Sequence, residues 1–107
     1  MKLIITIVSN DDSSSVQKAL IKEKFFVTKL SSSGGLLRNG NTTFMIGAKD
    51  EDVEKITNII AEHSRTRKEV VPNSIARDYG MINVEPTEVV VGGATLFIMD
   101  VEKFIKL

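Results

Sequence analysis

The order in which hydrophobic patterns follow one another most constrains the fold of this chain. Four stretches are β-branched or alternate along the backbone, which predicts strands at residues 2–8, about 25–33, 42–48 and 88–99. Apolar residues recur at helical spacing after the first and after the third stretch. The order βαββαβ predicts an α+β protein, a ferredoxin-like sandwich in which both helices cover one face of an antiparallel sheet.

Each expected helix has a start signal and an apolar stripe. Asp11, Asp12 and Ser13 are suitable N-caps for the first helix, and Asp50 is suitable for the second. The residues that recur at helical spacing are Val16, Ala19, Leu20 and Glu23 in the first helix and Val53, Ile56, Ile60 and His63 in the second. We expect these stripes to pack against the sheet.

The strands are apolar on both faces. The first strand places Leu3, Ile5 and Ile7 on one side and Ile4, Thr6 and Val8 on the other. An antiparallel sheet with one face in water normally alternates apolar and polar residues. Two helices can cover only one face, and each buried Val, Ile or Phe contributes roughly 1.5–3 kcal/mol. We therefore expect copies of the same chain to bury the second face.

The composition excludes several kinds of protein. The 107 residues suit a single domain over residues 1–107, and 14 basic residues balance 14 acidic ones. Neutral net charge argues against a protein that coats nucleic acid or an anionic membrane. The absence of cysteine excludes disulfides and thiolate metal sites, and a single histidine excludes a polyhistidine metal site within one chain. The N-terminal apolar run is too short to span a membrane, so a cytoplasmic protein is expected.

Residues 28–47, TKLSSSGGLLRNGNTTFMIG, predict two strands joined by a glycine loop. Adjacent glycines let backbone N–H groups approach a ligand closely. Two leucines in such a loop normally face water, so they call for a neighbouring subunit or a flat apolar ligand. The plain structural interpretation is a tight hairpin turn. With a nearby asparagine and threonine, the segment also suits a nucleotide base and its phosphate.

Residues 64–87 show no regular hydrophobic pattern and hold both prolines, Pro72 and Pro86. This segment is longer than the usual connection between two elements. We therefore expect a long flexible loop at about 64–87 that a ligand can order.

Three segments together identify a known family. The opening MKLII, the central VTKLSSSGGLLRNGNTTFMIG and the closing VEPTEVVVGGATLFIMDVEKF resemble the PII-like cyclic di-AMP receptor proteins of Gram-positive bacteria, in matching order over nearly the whole chain. The resemblance implies a PII-like homotrimer with a ferredoxin-like core and no catalytic activity. It also implies signal transduction by cyclic di-AMP bound in clefts between adjacent subunits.

The resemblance also implies which residues contact the ligand. Thr28 and Asn41 match polar groups that hold an adenine edge, and an Asn offers both a donor and an acceptor there. Gly35 and Leu37 match a loop that supplies backbone N–H groups and an apolar contact. Gly47 matches a position where a base lies close to the main chain.

Other positions depart from the family pattern. Phe26 stands where an arginine is typical, and Leu36 stands where a phenylalanine is usual. The chain ends Ile105-Lys106-Leu107, whereas the family usually ends His-Gln-Phe with the glutamine reaching the ligand. Lys24 and Lys106 are candidates to supply positive charge near a phosphate. Phe26, Leu36 and Lys106 therefore complete the set of candidate ligand-binding residues.

Two other functional hypotheses remain beside the receptor. The departures leave open a PII-like trimeric interaction scaffold with a diverged pocket that binds another nucleotide or no ligand. Catalysis is not expected, because His63 has no serine or cysteine partner at a recognisable spacing. The sequence does not identify a downstream protein partner.

Overall fold

The structure is a computed structural model and describes residues 1–30, 40–71 and 87–107. The strands are β1 (Lys2–Ser9), β2 (Val27–Leu30), β3 (Asn41–Ala48), β4 (Arg67–Val71), β5 (Thr87–Val91) and β6 (Ala94–Asp100). The helices are α1 (Asn10–Lys22) and α2 (Val53–His63), and a short 3-10 turn at Asp50–Asp52 precedes α2.

Four strands form the main sheet in the order β2-β3-β1-β6, and each neighbouring pair is antiparallel. Both helices contribute buried residues to one core with β1 and β3. The predicted α+β architecture, with an antiparallel sheet and two helices, is confirmed. The arrangement is compatible with a ferredoxin-like fold.

The last predicted strand is two strands that belong to different sheets. β5 pairs with β4 in a separate two-stranded hairpin, whereas β6 pairs with β1 at the edge of the main sheet. Gly92 and Gly93 separate β5 from β6, with φ angles of 82° and 83°. Because this left-handed conformation disfavours residues with a Cβ, the two glycines let the chain leave one sheet and enter the other.

The structure also differs from the predicted loop at about 64–87. Arg67–Val71, which was expected to be irregular, forms β4 and pairs in register with Thr87–Val91. Strand formation by this charged segment is explained by its partner β5, which supplies the backbone hydrogen bonds. The rest of the predicted loop, residues 72–86, lies outside the described residues.

Both helices begin differently from the prediction. α1 begins at Asn10, and the Ser9 hydroxyl accepts a hydrogen bond from the Asp11 backbone N–H at 3.3 Å, so Ser9 is the N-cap. The N-cap of α2 is Asp52 rather than Asp50, and its side chain makes no capping hydrogen bond; the Asp50 carboxylate pairs with the Met1 amino group at 3.1 Å. The acidic residues near α2 therefore act through its dipole and through ion pairs rather than as side-chain caps.

The core lies between the helices and one face of the sheet. It consists of Ile4 and Val8 from β1, Val16 and Leu20 from α1, Phe44, Ile46 and Ala48 from β3, and Ile56 and Ile60 from α2. Every second residue of β1 from Ile4 to Val8 is buried, as a strand with one face on the core requires.

The opposite face of the main sheet, which we call the uncovered face, is also apolar. The register places Leu3, Ile5 and Ile7 of β1 beside Met45 of β3 and beside Thr95, Phe97 and Met99 of β6. Phe97 is 53% exposed and Met99 is 41% exposed. Both described helices pack on the other side, so in the described part of the chain no helix covers this apolar surface.

Substitutions at Leu20 and Ile21, which are neighbours in α1, test how much the core contributes to the free energy of unfolding. Leu20 is fully buried and Ile21 is 55% exposed. We expect Leu20→Ala to lower the free energy of unfolding by about 2–5 kcal/mol, because it removes buried methyl groups and leaves a cavity. Ile21→Ala should lower it by less than about 1 kcal/mol. Urea unfolding of both variants at one protein concentration measures the difference, and equal losses would contradict this description of the core.

Lys2 and Asp100 face each other across β1 and β6, and their side chains form an ion pair. The hydrogen bond from Lys2 lowers the pKa of the Asp100 carboxyl, and the same contact raises the pKa of the Lys2 amine. The stabilisation that Asp100 contributes is thus present above its unfolded pKa and is lost as the pH falls through its lowered folded pKa. The Lys2 contribution is lost as the pH rises through its raised folded pKa.

Removing the Lys2 amine should raise the pKa of Asp100. We expect this change in Lys2→Met, because the carboxylate then lacks its charged hydrogen-bond donor. An NMR pH titration of the Asp100 side chain measures the effect, and Lys18→Met, a substitution in α1, is the control. An Asp100 carboxyl that titrates identically in Lys2→Met and in the unmodified protein would show that the ion pair is absent in solution.

Candidate functional site

The described candidate residues on the main sheet share the uncovered face. In β3, Asn41 and Gly47 are an even number of residues from Met45 and so share its face, and Thr28 in β2 is directly opposite Met45. Thr28, Asn41 and Gly47 are all exposed. Strand periodicity therefore directs Thr28 and Asn41 away from the two helices.

Phe26, Thr28 and Gly47 lie at one end of the sheet. Val27 pairs with Ile46, so Phe26 continues the register next to Gly47. The Phe26 ring is 88% exposed, and a Cβ built on Gly47 would meet no atom within 4 Å. A pocket of about 450 Å³ runs between these two residues and the start of α2. This end therefore offers an aromatic face beside open backbone, which a planar ring can use for stacking.

The turn after α1 explains why Phe26 is presented to solvent. Phe25 N–H donates to the Leu20 carbonyl at 3.1 Å, and Lys24 N–H donates to the Ile21 carbonyl at 2.9 Å. These two bonds form a Schellman motif, with Lys24 in its left-handed position at φ 66°. The motif packs Phe25 against the core and leaves Phe26 to begin the next segment in solvent.

Charged side chains of both signs line the same pocket. They are the amines of Lys24, Lys49 and Lys55 and the carboxylates of Glu23 and Asp52. Lys55 is 2.9 Å from Glu23 and lies 5.9 Å from the centre of the Phe25 ring, and its hydrogen bond lowers the pKa of Glu23. Lys55 offsets the charge of Glu23, and Asp52 offsets part of the charge of Lys24 and Lys49, so a positive surplus that can attract an anionic group remains beside Phe26.

Asn41 lies at the opposite end of the sheet, where residues 31–39 join β3. It pairs with Ser9 of β1 and lines a pocket of about 350 Å³ with Thr66, Gly93 and Thr95. Its two neighbours in the chain are held by one residue, Asn10. Asn10 N–H donates to the Gly40 carbonyl at 2.8 Å, and the Thr42 hydroxyl donates to the Asn10 side-chain oxygen at 2.5 Å.

The two ends are far apart within one chain. Asn41 and Gly47 are six residues apart on β3, which corresponds to about 20 Å at the usual rise of a strand. A compact ligand cannot contact both in one protomer. The structure therefore brings Phe26, Thr28 and Gly47 together and leaves Asn41 separate.

The remaining candidates are in the glycine loop and the C-terminal tail. Gly35, Leu36 and Leu37 lie outside the described residues. Lys106 is exposed in the tail that follows β6. This tail begins at the Gly47 end of the sheet, because Asp100 at the end of β6 is opposite Lys2, and Lys2 is opposite Ala48. Phe104, Ile105 and Leu107 in the same tail are exposed apolar side chains.

His63 has a serine partner at a spacing that no recognisable pattern predicts. Ser15 Oγ lies 2.9 Å from His63 Nδ1 and links α1 to α2. A sequence separation of 48 residues gave no signal for this contact, which arises only when the two helices pack together. Among the described residues no carboxylate forms an ion pair with this histidine.

Sequence reasoning also missed Asn10 as part of this site. A helix-starting asparagine has no pattern that reveals contacts with a distant strand.

Neither described helix combines the length and the continuous apolar surface needed to cross a membrane. Within residues 1–30, 40–71 and 87–107, no cluster of three metal-ligating side chains is present.

Comparison with known proteins gives two findings. The chain resembles the crystal structure of a functionally unknown protein from Pediococcus pentosaceus ATCC 25745, with 37% sequence identity and a TM-score of 0.76 over 99% of this chain and 96% of that one. The family model described as cyclic-di-AMP receptor matches residues 1–107, the whole length of the chain. The chain therefore belongs to the cyclic di-AMP receptor family.

Proposed function

We propose that this chain is a non-enzymatic, cytoplasmic signalling protein that binds cyclic di-AMP at the interfaces between the subunits of a homotrimer. Membership of the cyclic di-AMP receptor family supports the ligand and the signalling role. The intersubunit site is supported by the positions of Thr28, Asn41 and Gly47, which share the uncovered face but lie at opposite ends of it.

The intersubunit position follows from the distance between the two ends. One protomer supplies Phe26, Thr28 and Gly47, and a second protomer supplies Asn41, because about 20 Å separates Asn41 from Gly47 within one chain. A contact that joins two different ends of neighbouring protomers is compatible with a closed ring. Three subunits are what the resemblance to PII-like receptors implies.

The apolar uncovered face supplies the driving force for association. Burial of apolar side chains is favourable, and this face exposes Phe97 and Met99, with apolar β1 residues beside them. Packing of these faces against one another removes that surface from water and holds the two ends of adjacent protomers together.

Each candidate residue has a role that its chemistry supports. The Asn41 amide and the Thr28 hydroxyl hydrogen-bond adenine edges, and Gly47 lets a base lie against the backbone. The exposed Phe26 ring stacks on a base in place of the charged contact typical of the family. Lys24 and Lys49 attract the phosphates, and Lys106 in the tail is a third candidate.

The glycine loop completes the site in this proposal. Gly35 supplies a backbone N–H group, and Leu36 and Leu37 supply apolar contacts to the base. The ligand then favours one arrangement of residues 64–87 through its differential affinity, and a protein partner recognises that arrangement.

A second candidate function is a PII-like trimeric scaffold whose pocket binds another nucleotide or no ligand. The exposed Phe26, in place of a charged contact, is the observation that favours it. A thermal-shift screen of ATP, ADP, AMP and cyclic dinucleotides separates the two functions. Selective stabilisation by cyclic di-AMP supports the receptor, and stabilisation by another nucleotide or by none supports the scaffold.

Calorimetric titration with cyclic di-AMP tests the receptor directly. We expect selective binding by the unmodified protein. Asn41→Ala should weaken it on the order of tenfold or more, because an adenine edge loses its hydrogen-bonding partner. Asn58→Ala, which changes an exposed asparagine of α2, is the matched control and should bind normally. No heat and no thermal shift at high ligand concentration would refute the receptor.

The oligomeric state is the second test. We expect a particle of three times the 11.8 kDa protomer mass by light scattering at micromolar concentration. Phe97→Glu should dissociate it, because a charge on the uncovered face cannot be buried between subunits without a partner. Ile21→Glu places the same charge on the exposed surface of α1 and should leave the mass unchanged. A monomeric unmodified protein would rule out the intersubunit site.

A further inference from the structure

The backbone on both sides of Asn41 is fixed by Asn10. The Gly40 carbonyl accepts from the Asn10 backbone N–H, and the Thr42 hydroxyl donates to the Asn10 side chain. Thr42 is buried, so its hydroxyl has a fixed place in the packing. Asn10 therefore determines where β3 starts and, with it, where the Asn41 side chain is presented.

Two residues further along the same helical turn, Asp12 holds the base of the β4–β5 hairpin. The Arg67 guanidinium contacts both carboxylate oxygens of Asp12, at 3.0 Å and 3.2 Å. Asp12 is only 7% exposed, and the two parallel bonds fix the orientation of the guanidinium as well as its distance. Arg67 also donates to the Arg65 carbonyl at 3.2 Å, which ties the strand to the chain that leads into it.

Close packing at the hairpin base leaves little freedom around Arg67. A Cβ on Gly92 would lie 2.7 Å from Arg67 Nη1, and one on Gly93 would lie 2.8 Å from the Thr66 hydroxyl. Gly93 N–H donates to the Ser64 carbonyl, and the buried Ser64 hydroxyl donates to the Ile60 carbonyl in α2. The base of the hairpin is therefore hydrogen-bonded to the chain at the end of α2, and the Asp12–Arg67 ion pair links it to α1.

We propose that Asn10 and Asp12 are positioning residues through which the first turn of α1 couples ligand binding at Asn41 to the placement of the β4–β5 hairpin. The coupling to ligand rests on the proposed function, since it needs cyclic di-AMP to contact Asn41. The element with two arrangements is the Asp12–Arg67 ion pair, which is made or broken as the turn shifts. This coupling is reciprocal: a ligand that contacts Asn41 stabilises the ion pair, and loss of the ion pair lowers the affinity for the ligand.

Hydrogen exchange of the ligand-free protein tests the coupling on its own. Asn10→Ala removes the acceptor for Thr42 and should speed amide exchange in β4 and β5. Asp12→Asn removes the charge that holds Arg67 and should speed exchange at residues 40–43. Amides in the core of α2 should keep their protection in both variants, which separates local coupling from general destabilisation.

Matched variants isolate the two contacts. Asp11→Asn makes the same charge change as Asp12→Asn on an exposed neighbour, and it should not alter exchange at residues 40–43. Asn10→Asp keeps an oxygen that accepts from Thr42, so it should restore normal exchange in the hairpin. Absence of both cross-effects, or failure of Asn10→Asp to restore exchange, overturns the coupling.

Calorimetry with cyclic di-AMP tests the link to ligand. We expect affinity to fall about threefold to tenfold in both Asn10→Ala and Asp12→Asn, with Asn10→Asp and Asp11→Asn close to the unmodified protein. Unchanged affinity in Asn10→Ala and Asp12→Asn overturns the proposal. If the unmodified protein itself does not bind, the receptor function is refuted, and the exchange experiment decides whether the turn couples the two segments.

Discussion

The two helices bury one face of a sheet that is apolar on both, and this imbalance governs the rest of the structure. Burial of Phe44, Ile46 and their neighbours under α1 and α2 supplies the core of the protomer. The same strands present Leu3, Ile5, Ile7 and Phe97 on the other side. An apolar surface of this kind marks an interaction site in a folded protein. The described candidate residues on the sheet lie on that surface, so the proposed interface and the proposed ligand site belong to one region.

The strand period of two residues gives the site its form. Because Asn41 and Gly47 are an even number of residues apart on β3, both take the uncovered face, yet they lie at its two ends. Each end has its own structural support. The Schellman turn after α1 presents Phe26 beside Gly47, and the first turn of α1 holds the backbone around Asn41. One helix therefore supports both halves of the proposed site, with its C-terminus at one end and its N-terminus at the other.

The sequence predicted the α+β architecture, the two helices and three of the four strands of the main sheet to within a few residues, because their hydrophobic periods are strong. It did not predict that the chain changes sheets at Gly92 and Gly93, because the pattern is strand-like on both sides of the glycine pair and does not show that each side pairs with a different strand. β4 was missed because its charged residues lack a strand pattern and its partner supplies the pairing. The links from Asn10 to Thr42, from Asp12 to Arg67 and from Ser15 to His63 depend on packing between distant segments. No local spacing reveals such contacts.

The length of β4 and β5 places their far end well away from the closely packed hairpin base at Gly92 and Gly93. Five-residue strands such as β4 and β5 extend about 17 Å from their base. A rotation of about 10° at the base would carry the far end of these strands through about 3 Å, which is comparable to the spacing between hydrogen-bonded atoms. A rotation at the base that is too small to disturb the core would therefore be enlarged at the far end of these strands.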